Sequence, residues 1–182
     1  MKRIVNYINE KLRVTSKSFY TCQPNTKDEL QEIIIQRIKD EGPKCELNDI
    51  DVSQVDDMSY LFNAGGILFK NEIFTNFNGN VSLWDVSNVT SMQCMFRGCE
   101  KFNGDISRWN VSKVKDMELM FCECKEFNCD ISHWNISNVE NIHCMFLFCR
   151  KFNQNLDNWD VSNNINMLSA FKGCPTKPKW YK

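Results

Sequence analysis

The chain has 182 residues, is 42% hydrophobic and 25% charged, and carries a formal net charge of −1. That length suits one domain, and that composition belongs to a chain that folds. Near-neutral charge without a long single-sign run removes the electrostatic footprint of a nucleic-acid binder, and no stretch approaches the roughly 18 consecutive apolar residues of a membrane span.

Residues 1–25 read as an N-terminal segment and connector. Ile4, Val5, Ile8 and Leu12 follow a helical spacing, which predicts a short amphipathic helix docked on the domain; a detachable docking peptide is the alternative. The opening MKRIVNYINEKL alternates polar and apolar residues and lacks the apolar run and small-residue cleavage site of a secretory signal. The expectation is the cytoplasm or the interior of a host cell, with surface or virion display as the alternative. In such a reducing compartment the ten cysteines stay reduced.

Residues 26–46 predict a helical N-terminal cap. Thr26-x-x-Glu29 is a capping-box pattern, whose two side chains satisfy orphan backbone donors reciprocally. Leu30, Ile33, Ile34 and Ile38 then form one apolar stripe, and Gly42-Pro43 stops the helix.

Residues 47–76 form a degenerate first repeat, in which Ile50, Val52, Met58 and Phe62 stand where later copies have Trp, Val, Met and Phe. From Ile50 to Trp84 is 34 residues, one 25-residue period plus nine. The surplus falls in residues 64–75, where Gly65-Gly66 marks a loop.

Four 25-residue copies occupy residues 77–174, each opening on Phe-Asn. Trp84, Trp109, Trp134 and Trp159 recur in register, as do Phe96, Phe121, Phe146 and Phe171, and Cys99, Cys124, Cys149 and Cys174. A strict period of this kind signals units that bury their apolar faces by stacking on neighbours. In the third copy the apolar positions begin with a period of two, Trp134-x-Ile136, and lengthen to three and four from Val139 onward. That switch predicts a strand followed by a helical or 3₁₀ turn. The fold class expected is therefore an α/β repeat: a leucine-rich-repeat-like solenoid with a short parallel sheet on one side and short helices or 3₁₀ turns on the other. Five coils at about 4.8 Å spacing make a stack roughly 25 Å long. Residues 175–182, with Pro175, Pro178, Trp180 and Tyr181, end the repeat and read as a C-terminal cap; Asn164, replacing Val139, suits a last coil facing water.

The phrase F-N-x-D-I-S-x-W-D-V-S-N-V-T-x-M-x-x-M-F-x-x-C resembles the 25-residue repeat of mycoplasma-type and BspA-like leucine-rich-repeat surface proteins, over about residues 47–175. The resemblance implies a leucine-rich-repeat-like fold and an interaction role, and supplies no catalytic residue. Many members of that family are exported.

The thiol columns read as small buried hydrophobes, since cysteine interchanges with leucine and serine across Cys94, Leu119, Cys144 and Ser169. Cys122, Cys124 and Cys129, with His133 or His143, are the zinc alternative, but they lack a second knuckle at metal spacing. No metal, cofactor or catalytic residue is nominated. Asn78, Asn103, Asn128 and Asn153 predict an internal asparagine ladder.

Side chains flanking the buried Trp point outward from the expected sheet: Leu83 and Asp85, Arg108 and Asn110, His133 and Asn135, Asn158 and Asp160. The Leu/Arg/His/Asn column varies, as a recognition column does. The expectation is a non-enzymatic protein-interaction module with a protein partner, neither nucleic acid nor membrane. A structural or assembly component, self-associating through end coils, is the alternative.

Overall fold

A computed structural model of the chain describes residues 19–66, 69–161 and 165–182. The expected helix at 1–14 and the expected role of Asn164 lie outside those residues.

Each repeat folds as a succession of reverse turns. Trp84 N–H donates to the Val81 carbonyl at 3.2 Å, Val89 to Val86, Met95 to Met92, Cys99 to Phe96 and Phe102 to Cys99, and most of these bonds recur in later copies. In the inner coils the first and fourth residues of these turns are apolar and buried; the middle pair of turns such as 81–84 and 86–89 faces out, whereas Cys94 in turn 92–95 and Gly98 in turn 96–99 are buried as well. The polar residues set the turns. Asn80 Oδ1 accepts from Ser82 N–H, Asp85 Oδ1 from Ser87 N–H and Asp116 Oδ1 from Glu118 N–H, so a short side chain mimics the turn backbone two residues on.

The expected α/β solenoid with a parallel sheet is therefore corrected. Among the described residues the helices are α1 (Lys27–Glu41) and α2 (Glu72–Thr75), both outside the four repeats. The strands among the same residues are β1 (Gly65–Gly66) and β2 (Phe69–Lys70), paired antiparallel and within the insertion of the first copy. Between coils the parallel contact is reduced to single bridges, Asp57 to Ser91 to Asp116 to Asn141 to Asn166. Two physical reasons account for this. An apolar i, i+3 spacing is shared by a helix and by a reverse turn with both ends facing inward. In addition, Cys94, Leu119, Cys144 and Ser169 take φ of 54–58°, and Gly98, Glu123, Phe148 and Gly173 take φ of 62–84°. A left-handed residue costs about 1–2 kcal/mol in a non-glycine side chain and cannot continue a right-handed helix. Among the described residues there is no leucine-rich-repeat sheet.

Coils are joined instead by a ladder on the turn side. Met92, Cys94, Phe96 and Gly98 N–H donate to the carbonyls of Asp116, Glu118, Met120 and Cys122 at 2.8–2.9 Å, and the same four-bond register joins every successive pair from Met58 to Lys172. The core runs along the stack as aromatic columns. Phe96, Phe121 and Phe146 stack at 5.8 and 5.7 Å, Phe102, Phe127 and Phe152 at 6.1 and 5.7 Å, and Trp84 lies parallel to Trp109 at 6.4 Å. Each buried ring contributes roughly 1.5–3 kcal/mol of hydrophobic stabilisation. The indoles also form a ladder: Trp109 Nε1–H donates to Val81 O, Trp134 to Ile106 O and Trp159 to Ile131 O.

The two ends are closed differently. Helix α1 buries Leu30, Ile34 and Ile38 against the first coil, with Ile33 half-buried beside them. Thr26 Oγ1 accepts from Glu29 N–H, while Glu29 Oε2 reaches back to Asn25 N–H, one residue earlier than a capping box requires. Residues 19–25, expected as a connector, pair with the first coil: Thr21 N–H donates to Asp49 O and Asp51 N–H to Cys22 O. At the other end, Trp180 extends the indole ladder by donating to Leu156 O at 2.8 Å and stacks on Trp159, and Tyr181 meets Phe171 edge-on.

Candidate functional site

The turns that bury Trp84, Trp109 and their equivalents carry the candidate face. Leu83, Arg108, His133 and Asn158 occupy the third position of turns 81–84, 106–109, 131–134 and 156–159, and all four are exposed, Leu83 by 60%. Local geometry dictates this, because the residue before each Trp is an outward middle residue of its turn. The side chains face out from turns, since no strand is present here.

The neighbouring column of Asp85, Asn110, Asn135 and Asp160 is exposed as well. Three of its members are engaged with their own turns: Asp85 Oδ1 accepts from Ser87 N–H at 3.0 Å, Asn110 from Ser112 at 3.2 Å and Asn135 from Ser137 at 3.1 Å. These residues shape the face more than they offer free groups. Arg108 and His133 each lie beside a carboxylate. Asp105 is held below the usual carboxylate range, first by the Ser107 hydroxyl and backbone and then by the Arg108 charge. Asp130 is lowered by Ser132 N–H and hydroxyl bonds and by His133. The eight expected residues thus fall in two adjacent exposed columns, of which one is variable and one is committed to turn geometry.

A second surface was not nominated from sequence. An open groove of about 890 Å³ runs across the coils beside Asn78, Asn103, Asn128 and Asn153, flanked by Lys44 and Lys101. Its floor is the asparagine ladder: Asn103 N–H donates to Asn78 Oδ1 at 2.9 Å, Asn128 to Asn103 and Asn153 to Asn128. The ladder lies toward the surface and not inside, since Asn103 and Asn153 are exposed.

The cysteines are free thiols built into the backbone network. Cys99 Sγ donates to Phe62 O, Cys124 to Phe96 O, Cys149 to Phe121 O and Cys174 to Phe146 O, at 2.9–3.0 Å. A role as donor, beyond that of a small hydrophobe, was not read from the sequence. Burial raises the pKa values of the buried thiols Cys99, Cys124 and Cys149, and pushes Cys45 and Cys174 to about 11 and Cys122 to about 12. Because the neutral thiol is favoured in the fold, its contribution to stability is full below the ordinary thiol range near pH 9 and is lost as pH climbs toward 11. Iodoacetamide at pH 8 is accordingly expected to leave Cys99, Cys124 and Cys149 unlabelled in the native protein and to label them in guanidinium, read by peptide mass. Rapid native labelling of these three would contradict their burial. Cys124 is directed at Phe96 O while the Cys129 sulfur accepts from Ile106 N–H, and among the described residues no group of three His, Cys, Asp or Glu side chains could hold a metal ion.

No helix among the described residues is long and apolar enough to cross a membrane. Residues 67–180 match a family model described as Mycoplasma protein of unknown function, DUF285. No curated protein and no solved structure matches the chain.

Proposed function

Because the chain belongs to the family described as Mycoplasma protein of unknown function, DUF285, over more than half its length, we propose that it is a non-enzymatic interaction module that holds a protein partner on the column Leu83, Arg108, His133 and Asn158. One observation carries this reading: the column is the exposed position that changes from Leu to Arg to His to Asn while the adjacent Trp column stays invariant and buried. Repeat stacks present such columns at constant spacing to extended partners, with little ordering cost on the scaffold side. The likeness of the repeat to that of BspA-like surface proteins points the same way.

The test compares wild type with an Arg108→Glu/His133→Glu variant in pull-downs from native lysate, with matched thermal melts. Both sites are exposed, so the melts should agree to within a few degrees. The expected result is a specific partner retained by wild type and lost from the variant. Equal capture by both would move the binding site off this column.

A further inference from the structure

The turn-side ladder has a direction. In each coil four N–H groups donate to carbonyls of the following coil: Met58, Tyr60, Phe62 and Ala64 to the second, and so on to Ile142, Cys144, Phe146 and Phe148. The equivalent groups in the last coil are the N–H of Met167, Ser169, Phe171 and Gly173, and among the described residues none of them meets an acceptor. The opposite end of the stack is treated otherwise. There Lys27 and Gln31, one turn apart on α1, reach across the first coil, Lys27 Nζ to Asp57 and Ser59, and Gln31 Nε2 to the carbonyls of Tyr60 and Leu61. The acceptor end is covered by a helix, and the donor end is left open.

A second feature marks the same place. Position 168 belongs to a column that holds Gln93, Glu118 and His143 in the inner coils, with Gln93 and Glu118 bonded to each other. In the last coil it is Leu168, 66% exposed, the most exposed of the large hydrophobic residues among those described. Trp180 and Tyr181 cover Phe171 and leave Met167 and Ser169 half-buried on either side of this leucine. A row of unpaired backbone donors around an exposed apolar side chain is the condition for strand-like addition, in which main-chain bonds supply affinity and one pocket or contact supplies selectivity.

We infer that the last coil is a docking edge for a short extended segment of a partner protein, which adds as one more coil. Its carbonyls accept from Met167 and Ser169 N–H, and an apolar side chain packs on Leu168. Two copies joined end to end cannot supply this, since both present donors there and α1 occupies the acceptor end. The edge is distinct from the Arg108 column and does not rest on it.

Hydrogen exchange followed by NMR on the full chain tests the inference. Without ligand, the amides of Met167 and Ser169 should exchange at least about tenfold faster than those of Ile142 and Cys144, their paired equivalents. Equal protection would overturn the open edge. The probe is then a capped six-residue peptide with the sequence of residues 115–120 carrying Glu118→Leu: the Asp116 and position-118 carbonyls accept from the equivalent donors in the intact stack, and side chain 118 lies in the column that Leu168 continues, so the leucine supplies the apolar contact. Added peptide should slow exchange at Met167 and Ser169, and Leu168→Glu should weaken binding by roughly tenfold while Leu83→Glu does not. The Arg108→Glu/His133→Glu variant should bind it unchanged, which separates this edge from the lateral face. Peptide that fails to bind, or that binds without protecting these two amides, sinks the proposal, as would dimers of the chain alone that Leu168→Glu abolishes in sedimentation.

Discussion

Phe121→Ala is expected to lower stability by roughly 3–5 kcal/mol, the range for deleting a fully buried aromatic ring. Phe121 is 0% exposed and stands at the middle of its column, 5.8 Å from Phe96, 5.7 Å from Phe146 and 4.0 Å from Phe127. Removing its ring strips a face from all three neighbours at once. The cavity cannot collapse readily, because the coils above and below are held apart by the four-bond ladder, including Phe121 N–H to Met145 O. Urea denaturation provides the measurement, with Phe148→Ala as the control. Phe148 is 39% exposed, so its truncation should cost well under the core value, on the order of 1 kcal/mol or less. A loss below about 1 kcal/mol for Phe121→Ala would mean that the stack does not act as one continuous core.

Gly98→Ala is expected to cost about 2–4 kcal/mol, combining left-handed strain with overpacking. Gly98 has φ of 75°, and a Cβ there would lie 2.5 Å from the Gly65 carbonyl oxygen of β1. That atom is backbone, fixed by the hairpin pairing of Gly65 with Lys70, so it cannot move aside cheaply. Gly173 supplies the comparison. Its φ is 84°, but the close contact there, at 2.7 Å, is with the partly exposed Phe148 ring, and the nearest backbone atom, the Phe148 Cα, stands back at 3.3 Å. Gly173→Ala should therefore cost mainly the backbone strain, about 1–2 kcal/mol. The two midpoints, measured side by side, separate strain from collision. Equal losses at the two sites would show that the insertion does not press on the second coil as described.

Much of the candidate site was legible, because exposure follows from the repeat register. Once Trp84 and Trp109 are assigned to the core, Leu83 and Arg108 beside them face out whether the backbone is a strand or a turn. What could not be read was the occupation of the adjacent column, since Asp85 and Asn110 look like free polar groups until their bonds to Ser87 and Ser112 are seen. The open donor edge was equally invisible. Backbone N–H groups carry no residue signature, and Leu168 alone is one exposed leucine.

The sequence by itself determined the 25-residue period, the aromatic and cysteine columns, the Thr26 helix start and the nine-residue excess before Trp84, because each is a matter of spacing and local side-chain chemistry. Period alone did not determine the backbone. A helix turn and a reverse turn place residues i and i+3 on the same side, and Leu119, Glu123 and Phe148 give no local sign of a left-handed φ. The tertiary structure decided that question. Bonding of alternate N–H groups to the next coil and burial of both ends of the turns in the inner coils stabilise a left-handed conformation that these side chains disfavour in isolation.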